Sequence, residues 1–426
     1  MKQISLPEAP AGTTGGANAM RIVVAAVSSN HSMSGVSRHA ANLVRGLLTK
    51  TEVSALHLLV APWEHEYVCE SISRLDIRLH VHAVQLLPGI LHRNLWYYRI
   101  LPDIAEQLRA DVVHFAYPSP IKRGAFPCPT VVTLHDLYPY DIPSNFGFPK
   151  VLFNRMILRQ CLRNVSAIAC VSDSTRLQLG LRLPEAMPKA VTVSNCVEEG
   201  PLPVEPPFVA SWGNDPFLLC VAQHRRNKNV LTALRSFNRA LKGGEIHSET
   251  RLVIVGMPGP ETARIHGFVR SAHLTHRVAF ASGISDAELH WCYRNCQLLL
   301  APSTVEGFGL PVVEAQLAGC RIVCSDIPAF REVDSGTCHF VELETEEAEE
   351  LFARAIVSSL CDRRPFPAHL PHLLPAHVAE QYTRLYGRIL ASSRGSMKMI
   401  SAAKEGPVRS RDNPSVADKV PTAARY

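Results

Sequence analysis

From Met20 onward, short apolar runs rich in β-branched residues alternate with stretches of helical period. The runs are RIVVAAVSS, SALHLLVAP, IRLHVHAV, DVVHFAY, TVVTLHDL and AIACVSDS, most of them near-continuously apolar. Strands of this kind belong to a parallel sheet covered on both faces, with helices as the crossovers. Residues 201–216, PLPVEPPFVASWGNDP, are proline-rich and aperiodic, which marks a linker. The rhythm then restarts with PFLLCVAQ, RLVIVG, VAFASG, QLLLAPS and RIVCSD. Ser285 followed by Glu288 reads as a capping box opening a helix over SDAELHWCYRNC. The expected organisation is α/β, with two doubly wound, Rossmann-like domains over 20–200 and 217–375 that face a cleft. A last amphipathic helix spans 376–395. Residues 1–19 lack an apolar core and read as a disordered leader, and 396–426 as a disordered polar tail.

Composition narrows the class. The chain has 426 residues, 46% hydrophobic and 19% charged, and no apolar run reaches the ~20 residues that a membrane span needs. The net charge of +6 is diffuse, which argues against nucleic acid as a partner. Weak attraction to anionic lipid stays open. The 12 cysteines form no C-x-x-C pair, and Cys170, Cys220 and Cys324 lie in strand-like runs, as in a reduced, cytoplasmic protein. Cys292 and Cys296 are one helical turn apart, as are Cys320 and Cys324, but no histidine spacing accompanies them, so no metal site is expected.

Five segments carry candidate chemistry. QLLLAPSTVEGFGLPVVE, residues 297–314, is an apolar strand, a glycine turn and a helix start, with Glu306 and Glu314 on either side of the bend. The first N–H groups of a helix lack partners and attract anions, while carboxylates beside them can accept hydrogen bonds from sugar or ribose hydroxyls. That combination suits a sugar nucleotide; the plain alternative is a solvated helix start. After the strand PFLLCVAQ comes His224-Arg225-Arg226-Asn227-Lys228-Asn229, either a phosphate clamp or a solvated basic loop. TVVTLHDL sets His135 and Asp136 at the end of a buried strand, and in the first strand's loop Ser34, Gly35, Ser37 and Arg38 offer a glycine approach, hydroxyls and a cation. Trp96, Tyr97 and Tyr98, flanked by Arg93 and Arg99, suit either a core helix with snorkelling arginines or a face for sugars and lipid headgroups. Ser172 and Asn195 read as capping and turn residues.

The order Glu-Gly-Phe-Gly-Leu-Pro followed by Glu314 and EAQLAGCRIVCSDIPAFREV resembles the donor signature of the retaining GT-B glycosyltransferases of family 4. The resemblance, covering nearly all of 20–395, implies a GT-B fold whose C-terminal helix returns to the first domain. It implies that Glu306 meets the transferred sugar, that the backbone of Phe308, Gly309 and Leu310 meets sugar and phosphate, and that Glu314 holds the ribose. Lys228 would bind the donor diphosphate with Arg226 or Arg225, His135 would lie beside the transferred sugar, and Gly35 would approach donor or acceptor. The chain departs from the family by having Ser34-Gly35 in place of two glycines and no arginine at Gln223 or Asn227. The activity implied is transfer of a mannose-like or glucose-like hexose from a GDP- or UDP-linked donor to a glycan or lipid-diphosphate acceptor in polysaccharide or glycolipid synthesis. With no D-x-D sequence, neither a metal nor another cofactor is expected. The cysteine pattern places the expected enzyme in the cytoplasm, with peripheral contact at the inner face of the membrane left open. A non-catalytic scaffold of this fold that binds a sugar nucleotide, or a GT-B epimerase, is the alternative.

Overall fold

The computed structural model describes residues 19–29, 35–72, 76–198, 200–210, 212–213 and 215–404; residues 1–18 of the leader expected over 1–19, Ser34, and residues 405–426 of the tail expected over 396–426 lie outside them. The first sheet is built from β1 (Met20–Ala25), β2 (Val53–Val60), β3 (Leu79–Ala83), β4 (Val112–Phe115), β5 (Thr130–Leu134), β6 (Ala167–Cys170) and β7 (Ala190–Thr192). The second comprises β8 (Phe217–Val221), β9 (Arg251–Val255), β10 (Val278–Ala281), β11 (Leu298–Ala301), β12 (Ile322–Ser325) and β13 (Cys338–Val341). Their orders are β3-β2-β1-β4-β5-β6-β7 and β10-β9-β8-β11-β12-β13, and the described pairings are parallel. Each order reverses once, between β1 and β4 and between β8 and β11. Side-chain alternation explains the continuous apolar runs. In β1, Ile22 and Val24 enter the core on one face while Val23 and Ala25 enter the core on the other. The second sheet divides in the same way, with Leu219 on one side and Leu218 and Cys220 on the other.

The C-terminal helix, Pro375–Lys404, leaves the second domain and packs on the first. Val378, Ala379, Tyr382, Leu385 and Tyr386 join the same core layer as Ala40, Leu43 and Leu47 of the Gly35–Leu48 helix. Gly46 makes the crossing possible, because a Cβ there would lie 2.5 Å from the Pro375 carbonyl oxygen. This helix begins before 376 and continues past the 395 boundary read from its apolar period. The residues beyond it, SMKMISAAK, include alanine, methionine and lysine, which have good helix propensity. The aromatic cluster at 96–98 resolves as core: Trp96 and Tyr97 are buried, with the Tyr97 hydroxyl accepting from the Val27 N–H at 2.9 Å, and Tyr98 alone of the three is exposed.

Candidate functional site: the interdomain cleft

The signature turn lies where the second sheet reverses its order. Between β11 and the Leu310–Leu317 helix the chain bends through Gly309, whose φ of 104° is in the left-handed region. A Cβ at Gly309 would also meet the Phe330 ring at 2.8 Å, so both conformation and space demand glycine. Phe308 is buried beneath the turn. Among the described residues the N–H groups of Gly307, Phe308, Gly309 and Leu310 make no hydrogen bond. Unsatisfied donors at a helix start form an anion cradle.

The basic turn after β8 adjoins that cradle. Lys228 Nζ is 2.5 Å from Glu306 Oε1. The second Glu306 oxygen, Oε2, accepts from the Tyr138 hydroxyl of the first domain at 3.3 Å. Buried Asn227 ties the basic turn to the signature loop, donating to the Val305 carbonyl at 3.3 Å and accepting from the Thr304 N–H at 2.8 Å through its own carbonyl. Its Oδ1 also accepts from Asn145 of the first domain at 3.1 Å. Arg225 and Arg226 are both exposed. The Arg225 charge is felt across the cleft by Asp136 and Tyr138. Burial raises the Asp136 carboxyl to about 6, opposed by the Tyr138 N–H it accepts and by Arg225.

His135 follows β5 on the opposite wall. Its Nε2 lies 2.8 Å from the Ala116 carbonyl, and burial lowers the imidazole to about 4. The domains touch closely here: a Cβ on Gly307 would come within 1.7 Å of the His135 carbonyl oxygen. The Gly307 carbonyl accepts from Thr175 Oγ1 at 2.9 Å and from the Ser172 hydroxyl, so the residues that start the Asp173–Arg182 helix also grip the signature turn. Glu332 of the second domain accepts from the N–H groups of Asp173 and Ser174 at 2.7 and 2.9 Å, a carboxylate on a helix N-terminus.

Glu314 faces the other side of the turn. It accepts from Tyr293 at 2.8 Å and from Arg38 of the first domain at 3.2 Å, and Arg38 also pairs with Asp286. Burial raises the Glu314 carboxyl, with Arg38 opposing. Arg38, Tyr293, Leu310 and Glu314 help line a cavity of about 690 Å³, large enough for a nucleoside. Asp136, Thr175, Arg182, Glu306 and Gly307 help line a smaller one of about 240 Å³.

The structure therefore brings His135, Lys228, Arg225, Glu306, Phe308, Gly309, Leu310 and Glu314 to one cleft. Gly35 begins its helix in the first domain, three positions before Arg38. Arg226 opens the short Arg226–Lys228 turn. Tyr138, Asn145 and Tyr293 are not among the site residues the sequence points to, and Asn227 enters there only as part of the basic turn. Tyr138 stands three positions after His135, at the start of the Tyr138–Asp141 helix, and only the packed domains show its hydroxyl on Glu306. Among the described residues no group of three or more His, Cys, Asp or Glu could hold a metal ion. The described cysteines are free thiols, with Cys296 and Cys320 sulfurs in contact at 3.2 Å.

Comparison with known proteins gives the same picture in two halves. Residues 33–199 match the model of Glycosyltransferase Family 4, and residues 206–358 match that of Glycosyl transferases group 1. The chain is 23% identical over 332 residues to the O-antigen chain mannosyltransferase B of Escherichia coli, covering 74% of this chain and 84% of that one. It is 25% identical over 218 residues to the O-antigen chain mannosyltransferase RfbU of Salmonella typhimurium, covering 51% of this chain and 58% of that protein. Among solved structures, Anabaena HepE in complex with UDP and glucose superposes with a TM-score of 0.60 at 14% identity, covering 89% of this chain and 99% of that one. WaaG, a glycosyltransferase involved in lipopolysaccharide biosynthesis, gives 0.57 at 14% identity, covering 87% and 98%. With one family model on each domain in order, and the doubly wound pair around a shared cleft, the chain belongs to the group 1 glycosyltransferases of GT-B fold.

Proposed function

We propose that the protein is a retaining hexosyltransferase that moves a mannose-like or glucose-like sugar from a nucleoside diphosphate to a glycan or lipid-linked acceptor in polysaccharide assembly. The observation that carries this reading is the signature turn, which offers Glu306 to a small polar cavity and Glu314 to a nucleoside-sized one. The mannosyltransferase relatives from Escherichia coli and Salmonella typhimurium support the sugar type and the pathway class, and the HepE complex supports a nucleotide donor. Glu314 would accept from the ribose after Arg38 yields, and Glu306 from the transferred sugar. His135 would hydrogen-bond that sugar. The bond between the anomeric carbon and the diphosphate oxygen breaks as the acceptor oxygen attacks the same face, and the departing phosphate oxygen takes the acceptor proton. Lys228, Arg225 or Arg226, and the unpaired N–H groups of 307–310 would neutralise the leaving diphosphate without a metal.

The acceptor side supports a cytoplasmic enzyme peripheral to an anionic membrane face. Leu91, Leu95 and Tyr98 lie exposed on the Ile90–Arg99 helix, and Leu152, Phe153 and Met156 on the Lys150–Asn164 helix. Neither helix carries an acidic residue, while Arg93, Arg99, Lys150, Arg155, Arg159 and Arg163 supply positive charge. Apolar side chains ringed by cations suit anionic lipid headgroups. No described helix is long and apolar enough to cross a membrane.

The test is thermal shift with UDP-, GDP-, dTDP- and ADP-sugars in chelator, followed by donor hydrolysis by the wild type and Glu306→Ala. One stabilising donor and slow hydrolysis abolished in Glu306→Ala are expected. Binding without turnover for any acceptor would favour a sugar-nucleotide-binding scaffold, and activity restored only by manganese would remove the metal-free part.

A further inference from the structure

A buried polar cluster lies beneath the cleft, in an otherwise apolar layer between the first sheet and the C-terminal helix. Thr133, two positions before His135 on the same face of β5, is at its centre. Its hydroxyl is 2.8 Å from His114 Nε2, 3.1 Å from the Tyr382 hydroxyl and 3.3 Å from His39 Nε2. His114 Nδ1 in turn is 2.5 Å from the Tyr386 hydroxyl. His39 stands edge-on to His135, ring centres 4.8 Å apart. These groups are buried. Polar side chains are a costly way to fill a core, and apolar residues of similar volume would stabilise it at least as well. His39 Nδ1 has no hydrogen-bond partner among the described residues, but the bonds that join Thr133 to His114, Tyr382 and His39, and His114 to Tyr386, do something an apolar layer does not, which is to fix the orientation of the rings they hold.

The ring so bounded is His135. A carbonyl oxygen only accepts, so the 2.8 Å contact with Ala116 requires a proton on Nε2. In the neutral ring Nδ1 is then a bare acceptor, and it has no protein partner among the described residues. We propose that the C-terminal helix is a positioning element of the cleft: through Tyr382 and Tyr386 it anchors Thr133, His114 and His39, which hold His135 with Nε2–H on Ala116 and Nδ1 presented to substrate as an acceptor. The substrate hydroxyl that meets His135 must therefore donate. Burial keeps the ring neutral, lowering it to about 4, so it orients a hydroxyl and does not retain its proton. Thr133, His114, His39, Tyr382 and Tyr386 touch no substrate and act through His135. The inference rests on the reading of His135 as part of the sugar site.

The first experiment needs no substrate: ¹⁵N spectra of the histidine rings in the wild type, assigned with His135→Gln. A neutral His135 protonated at Nε2 is expected near pH 7, and protonation at Nδ1 or a charged ring would overturn the proposal. Next, kcat and donor KM are measured for Tyr386→Phe and Thr133→Val, with the gentler Tyr382→Phe in case either fails to fold. A mispositioned ring should lower kcat at least about tenfold with donor KM within about twofold, and mix the His135 tautomers. Unchanged kcat and an intact Nε2–H signature, with only the melting temperature lowered, would show the cluster to be purely structural and overturn the proposal. If no sugar nucleotide is turned over, the functional reading fails while the tautomer result still judges this one.

Discussion

Replacing Gly307 by alanine adds one methyl group at the tightest contact between the two domains. Its Cβ would stand 1.7 Å from the His135 carbonyl oxygen, whereas real Cβ contacts stay beyond 3.0 Å, so the two walls must part by about 1.3 Å at this point. The obstacle is backbone, so no side-chain rotation relieves it. Each domain has its own core, and the melting temperature should change little. The cleft should change a great deal, because the same opening lengthens the Thr175 contact to the Gly307 carbonyl, now 2.9 Å, and the Tyr138 contact to Glu306, now 3.3 Å. A misplacement of about 1 Å between reacting groups costs on the order of 100-fold in rate. Nucleotide contacts confined to the second domain remain, so affinity for the free nucleoside diphosphate should stay within about threefold, a change of well under 1 kcal/mol. Steady-state transfer kinetics and calorimetric nucleotide titration read the two quantities separately. Wild-type kcat in a folded Gly307→Ala protein would refute the idea that activity needs the domains in the contact seen here.

Two further outcomes follow from the same geometry. Lys228→Ala removes the cation paired with Glu306, which is 8% exposed, and the expected loss is about 10- to 100-fold in nucleoside diphosphate affinity, measured by calorimetry; an unchanged Kd would take Lys228 out of the diphosphate site. Acid should destabilise the fold below pH 6.5. Burial holds His39 well below its ordinary value, His114 down to about 3 and His135 down to about 4, so between 6.5 and 4 the unfolded chain binds protons that the native one does not. Stability from these groups is present above 6.5 and lost as pH falls; His135 alone accounts for about 3 kcal/mol. Asp136, raised to about 6, works in the opposite direction by a similar amount, as do the raised carboxyls of Asp141 and Glu314, while His57, lowered to about 3, and the lowered His82 and His224 act with the buried histidines. Melting temperatures from pH 7 to 4 should fall, less steeply in His114→Gln, and a flat profile would contradict the buried neutral histidines.

What the sequence by itself determined is local or periodic. Strands such as AIAC and LLLA are apolar at every position because both faces are covered, and that marks a parallel sheet without knowledge of its partners. The Ser285–Glu288 capping box depends on residues three apart, and it forms as read. Gly309 sits where only glycine can turn, Glu306 and Lys228 stand on turns that follow apolar strands, and Glu314 stands on the helix after the signature turn. Tertiary structure alone decided which groups meet across the cleft. Arg38 and Glu314 are 276 positions apart and Tyr138 and Glu306 168, and no period relates them. It also decided that Trp96 and Tyr97 are core, since amphipathic sequence leaves open which face is covered. The cluster around Thr133 was illegible for the same reason. Each of its residues looks like an isolated polar position in an apolar element, and its meaning comes from the C-terminal helix folding back some 250 positions later, as the separation of 249 between Thr133 and Tyr382 records. Backbone preference and alternation act over a few residues; hydrogen bonds and ion pairs act over a few ångströms, and only the folded chain converts one distance into the other.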